Sequence, residues 1–429
     1  MKLALKSLNY SPELTGIGKY NGEMCSSLAQ KGIDVTAIVA PPYYPDWKVN
    51  QAYSAVFYKT ETIEQVTVQR CPLYVPAKVS TLKRLLHLSS FALSSGIRLF
   101  THVFKSPDVI VLVQPTLFCA PLTLLFAKLT NTKTVLHIQD FEVDALFGLG
   151  MLGEGKTASL ARRVEKWLTC KFDRVSTISY SMIENAKRKG VPAEKIIHFP
   201  NWSDTDFVSP DTNGDALKQE WGLAPTNKVV LYAGNIGNKQ GLDIVLDAAQ
   251  AFKASPEVKF VMVGAGSYVA ELKQLAEQMQ LSNVLFMPLQ AWERVPEMLA
   301  LADIHLVIQK RGAADAVLPS KLTNILSAGG HAIVTADQHT ELGKIQQKHS
   351  GIYTCIEPEN ATALTQALNQ LLASDLSKHN DVARQFALQY LNKNKILDKF
   401  ISELEVLANV SAASSVSIDE DEDLTCHKK

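Results

Sequence analysis

The feature that most restricts this chain is a rhythm that runs, stops and starts again. Short β-branched runs alternate with helical patterns through the first 200 residues, at "KLALKSL", "VTAIVA", "VIVLV", "TVLHIQ" and "RVSTIS". After a turn-rich break the rhythm restarts at "KVVLYAG" and continues through "VKFVMVG", "NVLFMPL", "IHLVIQK", "HAIVTA" and "GIYTCI". Strands linked through helices run parallel, and a parallel sheet is covered on both faces. Two such runs predict an α/β protein of two doubly wound, Rossmann-like domains facing a central cleft. A chain of 429 residues is long enough for two cores. Ligands of such sheets bind beyond the carboxyl ends of the strands, so the residues just after each run come under scrutiny first.

The predicted divisions are a domain over 1–200, a linker over 201–226, a second domain over 227–380, a helical segment over 381–408 packing across both, and a disordered acidic tail over 409–429. The linker is rich in Pro, Gly and Asx turn formers, and the tail carries "DEDED" with little to bury. Lys plus Arg and Asp plus Glu both number 43, which removes any bulk case for nucleic acid. The six cysteines include no CxxC pair and read as reduced thiols of a cytoplasmic protein. Residues 109–127 carry no charge, but Pro115 and Pro121 split them into strand, loop and short helix rather than a membrane span.

Within "QKRGAADAVLPSKLTNIL", Arg311 and Lys321 flank a helix start with Ser320 as its predicted N-cap. Lys239 stands in "YAGNIGNKQG", after another strand of the same sheet. Loops after parallel strands leave from one edge, so Lys239, Arg311 and Lys321 are expected to converge on a diphosphate beside a helix N-terminus. Gly237 and Gly266 would admit a nucleotide or sugar close to the backbone. In the first domain, Gly16 and Gly18 of "NYSPELTGIGKY" lead into a helix, but a third Gly and a strand-end acid are missing, which disfavours a dinucleotide. "HIQDFEVDA" puts His137 and Asp140 on the opposite side of the cleft as candidate catalytic or positioning groups. That cluster is too closely spaced for a usual zinc site, and "DTD" at 204–206 reads as a capping cluster, so no metal or other cofactor is expected. Each motif alone also fits a turn, a cap or a solvated charge.

Between Gln65 and Pro107 there is no acid, while Arg70, Lys78, Lys83, Arg84 and Arg98 are interleaved with Leu and Phe. Such a segment suits peripheral contact with an anionic membrane. A core-packed helix pair with a solvated positive face fits it as well.

In order and spacing, "YSPELTGIGKY", "PNWSDTDFVSP", "YAGNIGNKQG" and "LPSKLTNILSAGG" resemble the glycine loop, interdomain segment, lysine–glycine loop and LPSK helix of the GT-B glycosyltransferases of retaining family 4. The resemblance implies GT-B architecture, a nucleotide-sugar donor and metal-independent transfer. "APPYYPDW", "RCPLYVP" and "PTLFCAP" resemble the members of that family thought to add fucose in colanic acid assembly. This implies GDP-fucose as donor, a lipid-linked saccharide as acceptor, and residence on the cytoplasmic face of the inner membrane. There are departures: the family's two glutamates, eight positions apart, fall on Ala316 and Asn324, with Asp315 beside the first. Asn324 can still hydrogen-bond a ribose; Ala316 offers no carboxylate. A non-catalytic binding partner and a nucleotide-sugar epimerase or hydrolase therefore stay as rival readings.

Overall fold

The computed structural model describes residues 1–13, 16–44, 46–77, 80–141, 156–311, 318–374 and 376–408. The first lobe is built on strands β1 (Lys2–Ser7), β2 (Asp34–Val39), β3 (Lys59–Ile63), β4 (Val66–Arg70), β5 (Val109–Gln114), β6 (Lys133–Ile138), β7 (Arg174–Thr177) and β8 (Ile196–His198). Their spatial order is β3-β4-β2-β1-β5-β6-β7-β8, and only the β3–β4 hairpin is antiparallel. The second lobe holds β9 (Lys228–Ala233), β10 (Val258–Val263), β11 (Val284–Met287), β12 (Ile304–Val307), β13 (Ala332–Thr335) and β14 (Thr354–Ile356), all parallel, in the order β11-β10-β9-β12-β13-β14. Every strand read from the β-branched runs is present. The additions are β3, β4 and β8, which are short or polar.

Burial follows the doubly wound logic. All six residues of β5 are buried. Helices Thr81–Phe100, Ala120–Thr130, Lys156–Thr169 and Tyr180–Arg188 cover one face, contributing Phe91, Phe126, Leu168 and Met182 to one core. Helix Gly16–Gln30 covers the other face, where it is joined by the late helix Lys393–Leu407 through Leu397, Phe400 and Leu404. Each sheet reverses its strand order once, between β1 and β5 and between β9 and β12, and those switch points open the crevices where ligands of this architecture sit. The uncharged stretch is β5, a 3-10 turn Leu117–Cys119 and helix Ala120–Thr130. Among the described residues, no helix is long and apolar enough to cross a membrane.

The segment read as a linker is only partly one. It contains helix Asp215–Glu220, and Leu217, Trp221 and Leu223 are buried beneath β9 as part of the second lobe. The chain passes between lobes near Ser203 and again near Asn392, and these two residues form an isolated parallel bridge. Between the crossings, helix Asp381–Phe386 and the π-helical turn Ala387–Leu391 pack on the second lobe before helix Lys393–Leu407 returns to the first. Residues 409–429, read as an acidic tail, lie outside the described residues.

Candidate active site

The second-lobe side of the gap is assembled from glycine loops that hold one another. Past β9, Gly234 has φ 148° and its N–H donates to Val263 at 2.9 Å; Ile236 N–H donates to Ala265 at 2.9 Å. A side chain at Gly264 would strike the Gly234 carbonyl, and one at Gly266 the Ile236 carbonyl. The absent side chain at Gly266 is thus required by loop-on-loop packing, whatever else approaches it. Gly237 donates its N–H to Gln240 Oε1 at 3.2 Å, which closes the turn before the next helix.

Lys321 stands at the middle of this arrangement. It is the second residue of helix Ser320–Ser327, whose N-cap is Pro319; Ser320 is the first helical residue rather than the cap, and among the described residues no side chain caps the helix. The Lys321 ammonium lies 4.2 Å from the Tyr232 ring centroid. Among the described residues it has no hydrogen-bond or ion-pair partner. Burial alone pushes its pKa down to about 8. A half-buried cation beside a helix start has the electrostatics of an anion-binding site.

The cation that joins it from β12 is not the one the sequence suggested. Arg311 turns toward β13 and β14, where Nη1 bonds Asp337 at 2.9 Å and Nη2 bonds Glu357 at 2.7 Å. Its neighbour Lys310 lies across Gly241 and donates to Asn238 Oδ1 at 3.0 Å, within the glycine loop. Gln309 brings a buried Oε1 without a hydrogen-bond partner among the described residues. Asp315 and Ala316, and the side chain of Lys239, lie outside the described residues.

Across the gap, helix Gly16–Gln30 brings Tyr20 toward Thr323 of helix Ser320–Ser327, and its Lys19 Nζ lies 3.6 Å from the Trp292 ring centroid. Gly16 begins that helix with φ 60°. Gly18 is glycine because the Glu13 side chain lies against it. Glu13 is itself buried and accepts from Tyr43 N and Tyr44 N at 3.1 Å and from Asn9 Nδ2 at 2.9 Å. Burial raises its pKa against those hydrogen bonds. Asn324 also sits at the junction, its Oδ1 accepting from Ser203 at 2.9 Å.

His137, expected as a candidate catalytic or positioning group, is withdrawn into the first-lobe sheet. It is buried, it shares Nδ1 with Ser176 Oγ at 2.9 Å, and its Nε2 meets Gln139 Nε2 at 2.9 Å. Burial pushes its pKa down to about 3, so it is neutral, with Nδ1–H donating and Nε2 accepting. Its work is to aim Gln139, which exchanges hydrogen bonds with Asn201 at 3.0 and 3.2 Å. Asp140, just past β6, is exposed.

Glu341, which the sequence reading passed over, ties the lobes together. Its buried carboxylate accepts from Tyr180 N at 3.2 Å, Ser181 N at 3.0 Å and Ser181 Oγ at 2.6 Å, so a second-lobe residue caps a first-lobe helix. The basic segment also needs correction. Arg70 is buried, bonded to Glu61 and to the carbonyls of Ser11 and Ala40, and Arg98 is held by Gln69 and Thr60. Arg84 lies 5.9 Å from the Trp47 ring centroid with its Nε buried, Lys83 is exposed, and Lys78 is outside the described residues.

Residues 15–202 match the family model described as a glycosyl transferase 4-like domain, and residues 214–388 match that of glycosyl transferases group 1. The chain is 50% identical over 409 residues to the Escherichia coli (strain K12) protein named colanic acid biosynthesis glycosyl transferase WcaI, covering 94% of this chain and 100% of that one. It is 21% identical over 406 residues to N-acetyl-alpha-D-glucosaminyl L-malate synthase of Bacillus anthracis, covering 93% and 96%. Among solved structures, sucrose-phosphate synthase from Thermosynechococcus elongatus superposes with TM-score 0.72 at 16% identity, over 96% of this chain and 100% of that one. WaaG, a glycosyltransferase involved in lipopolysaccharide biosynthesis, superposes with TM-score 0.64 at 14% identity, over 94% and 99%. At those identities the likeness speaks for the GT-B fold.

Proposed function

The chain belongs to the group 1 glycosyltransferases, and from that premise we propose that it transfers fucose from GDP-fucose to a lipid-linked saccharide during assembly of a colanic acid-like exopolysaccharide, with retention and without a metal. The observation that carries the donor side is Lys321, a partly buried ammonium at a helix start that has neither an anionic partner nor a side-chain cap among the described residues. The pathway comes from the 50%-identical relative named for colanic acid biosynthesis.

In this reading the diphosphate lies over the start of helix Ser320–Ser327 and between Lys321 and Lys310. Asn324, whose Oδ1 is held by Ser203, reaches the ribose through Nδ2. As the bond from the anomeric carbon to the phosphate oxygen breaks, charge grows on the leaving group, and Lys321 and the helix N–H groups stabilise it. The acceptor hydroxyl forms the new bond to the anomeric carbon from the same side and passes its proton to the departing phosphate oxygen, so no enzymic base is required. Asp140 and the Gln139–Asn201 pair position sugar or acceptor, while Gly16 lets the first lobe approach closely. The acceptor's lipid places the enzyme peripherally on the cytoplasmic face of an anionic inner membrane.

The test is purified protein with GDP-fucose, with and without membrane lipid extract. Lipid-dependent GDP release with a fucosylated lipid product is expected. Release indifferent to lipid indicates a hydrolase. Absence of release with a panel of nucleotide sugars indicates the non-catalytic partner, which the alanine at position 316 favours.

A further inference from the structure

The outer surface of the first lobe's main helical layer is apolar where solvent exposure would predict polar residues. On helix Thr81–Phe100, Leu82, Leu86, Leu93 and Ile97 are 69%, 52%, 62% and 58% exposed and fall on one face. The neighbouring helix Ala120–Thr130 crosses it where Gly96 meets Leu122, and exposes Leu125 and Leu129. The third helix of the layer, Lys156–Thr169, exposes Leu160, Val164 and Trp167 at the same kind of spacing. Phe104, in the turn after the first helix, is 96% exposed. One isolated apolar residue on a surface is ordinary; a comb across three adjacent helices is an interaction face.

Charge selects the occupant. From residue 65 to residue 139 the sole acid is Asp108, and it accepts a hydrogen bond from Lys2 N. Lys83, Lys105 and Lys128 are exposed at the margins of the comb. On the third helix Arg162, Arg163 and Lys166 are exposed, and the one acid, Glu165, is buried and paired to Lys189. The anchors are mainly aliphatic, whereas Leu is under-represented in protein–protein hot spots. Aliphatic side chains framed by lysine and arginine suit acyl chains beneath anionic headgroups, and Trp167, with Lys171 Nζ 5.8 Å from its ring centroid, is the residue pair of a membrane–water boundary.

We infer that this layer inserts shallowly into an anionic bilayer, with the aliphatic comb rather than the arginines of residues 70–98 as its anchor. The inference rests on the part of the proposed function that puts the acceptor in a membrane. Helix Thr81–Phe100 begins past β4 at the carboxyl edge of the sheet and descends toward the start of β5, so Leu82 is at the cleft end and Ile97 at the far end. A bilayer along this ridge would reach the rim of the cleft.

The experiment sediments the full chain with vesicles of neutral phospholipid containing about one-third anionic lipid, at low and at molar salt, with no donor or acceptor present. Its failure is thereby separate from failure of transfer. The wild type is expected to bind at low salt and to keep a large share of that binding in molar salt. A variant with Leu86, Leu93 and Ile97 changed to Ser should bind at least tenfold more weakly at both salts. Lys83→Glu with Lys128→Glu should weaken binding at low salt only. To stand independent of any folding loss, Leu93→Trp should add fluorescence that is quenched by bromine-labelled acyl chains. Vesicle binding unchanged in the serine variant, or Leu93→Trp fluorescence unaffected by brominated lipid, overturns the inference. So does a wild type that ignores vesicles and forms dimers which the serine variant dissolves, for then the comb is an interface between copies.

Discussion

Replacing Lys321 by Met offers the sharpest test of the donor site, because stability and binding should move in opposite directions. Burial lowers this lysine from 10.5 to about 8, a difference worth about 3 kcal/mol between its protonation states. The side chain is partly rather than wholly buried, and solvent screening reduces the realised cost to about 1–2 kcal/mol. The sign follows from the depressed value. The charged form is disfavoured in the fold, so the cost is carried in full below pH 8 and fades as the pH climbs toward the unfolded value of 10.5. Lys321→Met keeps the length of the side chain and drops the charge. The unliganded variant should therefore melt about 1–2 °C higher at pH 7, with the difference shrinking above pH 10. GDP affinity should fall about 10- to 100-fold, the worth of a lost charge-assisted contact. In the wild type, GDP binding should draw a proton onto Lys321 and weaken as the pH rises past 8. The terminal phosphate loses its second proton near pH 6 and contributes no such change. Calorimetry with GDP at pH 7, 8 and 9.5, in buffers of different ionisation enthalpy, reads both effects. Equal GDP affinity in the two proteins, or a less stable apo variant, would show that Lys321 is not a held-out anion ligand.

The neighbouring cations separate cleanly: Arg311→Ala should change GDP affinity less than about threefold, since Asp337 and Glu357 already occupy its guanidinium, whereas Lys310→Ala should cost about tenfold in the same titration. Glu341→Ala leaves two helix N–H groups and a hydroxyl without their acceptor, so it should lose about 1–3 kcal/mol in urea unfolding and increase the radius of gyration by small-angle scattering; a scattering curve identical to wild type would deny the carboxylate its inter-lobe role. Burial holds His137 at about 3 and both His198 and His305 at about 4, so below pH 6.5 the unfolded chain takes up protons that the fold refuses, and stability should drop by about 3 kcal/mol per pH unit between pH 6 and 4. His137→Gln should reduce that slope by about a third without shifting the pH profile of transfer; loss of a limb of that profile would restore a catalytic role to His137.

Much of the fold was legible from residues alone, because a parallel sheet imposes itself through runs that are apolar on both faces. "VIVLV" could hardly be anything but a central strand, and the prolines at 115 and 121 correctly divided the uncharged stretch into strand, turn and helix. By the same rule His137, in the interior of "TVLHI", should have been expected in the core, since both faces of that strand are covered. The hairpin β3–β4 was hidden by its composition: "KTETI" is an edge strand with polar residues on its open face. Side-chain direction at the strand ends was out of reach for another reason. Arg311 and Lys310 are adjacent, and what separates them is the pair of acids just past β13 and β14. Those acids stand beside Arg311 only because the sheet runs β12-β13-β14, and neighbour relations between strands are not written in the order of the chain. One signal for Lys310 was available in Gly241, whose bare backbone leaves room for that lysine to cross.

The return of helix Lys393–Leu407 to the first lobe has a consequence for synthesis. Its Leu397, Phe400 and Leu404 fill the same core as Leu28 and Phe199, and Phe400 stacks on Phe199 with ring centroids 3.8 Å apart. The half of the protein that leaves the ribosome first is therefore the half that is finished last. Until residue 407 emerges, one flank of its sheet stays bare, and the nascent chain has to be kept from aggregating through that flank while the whole second lobe is made.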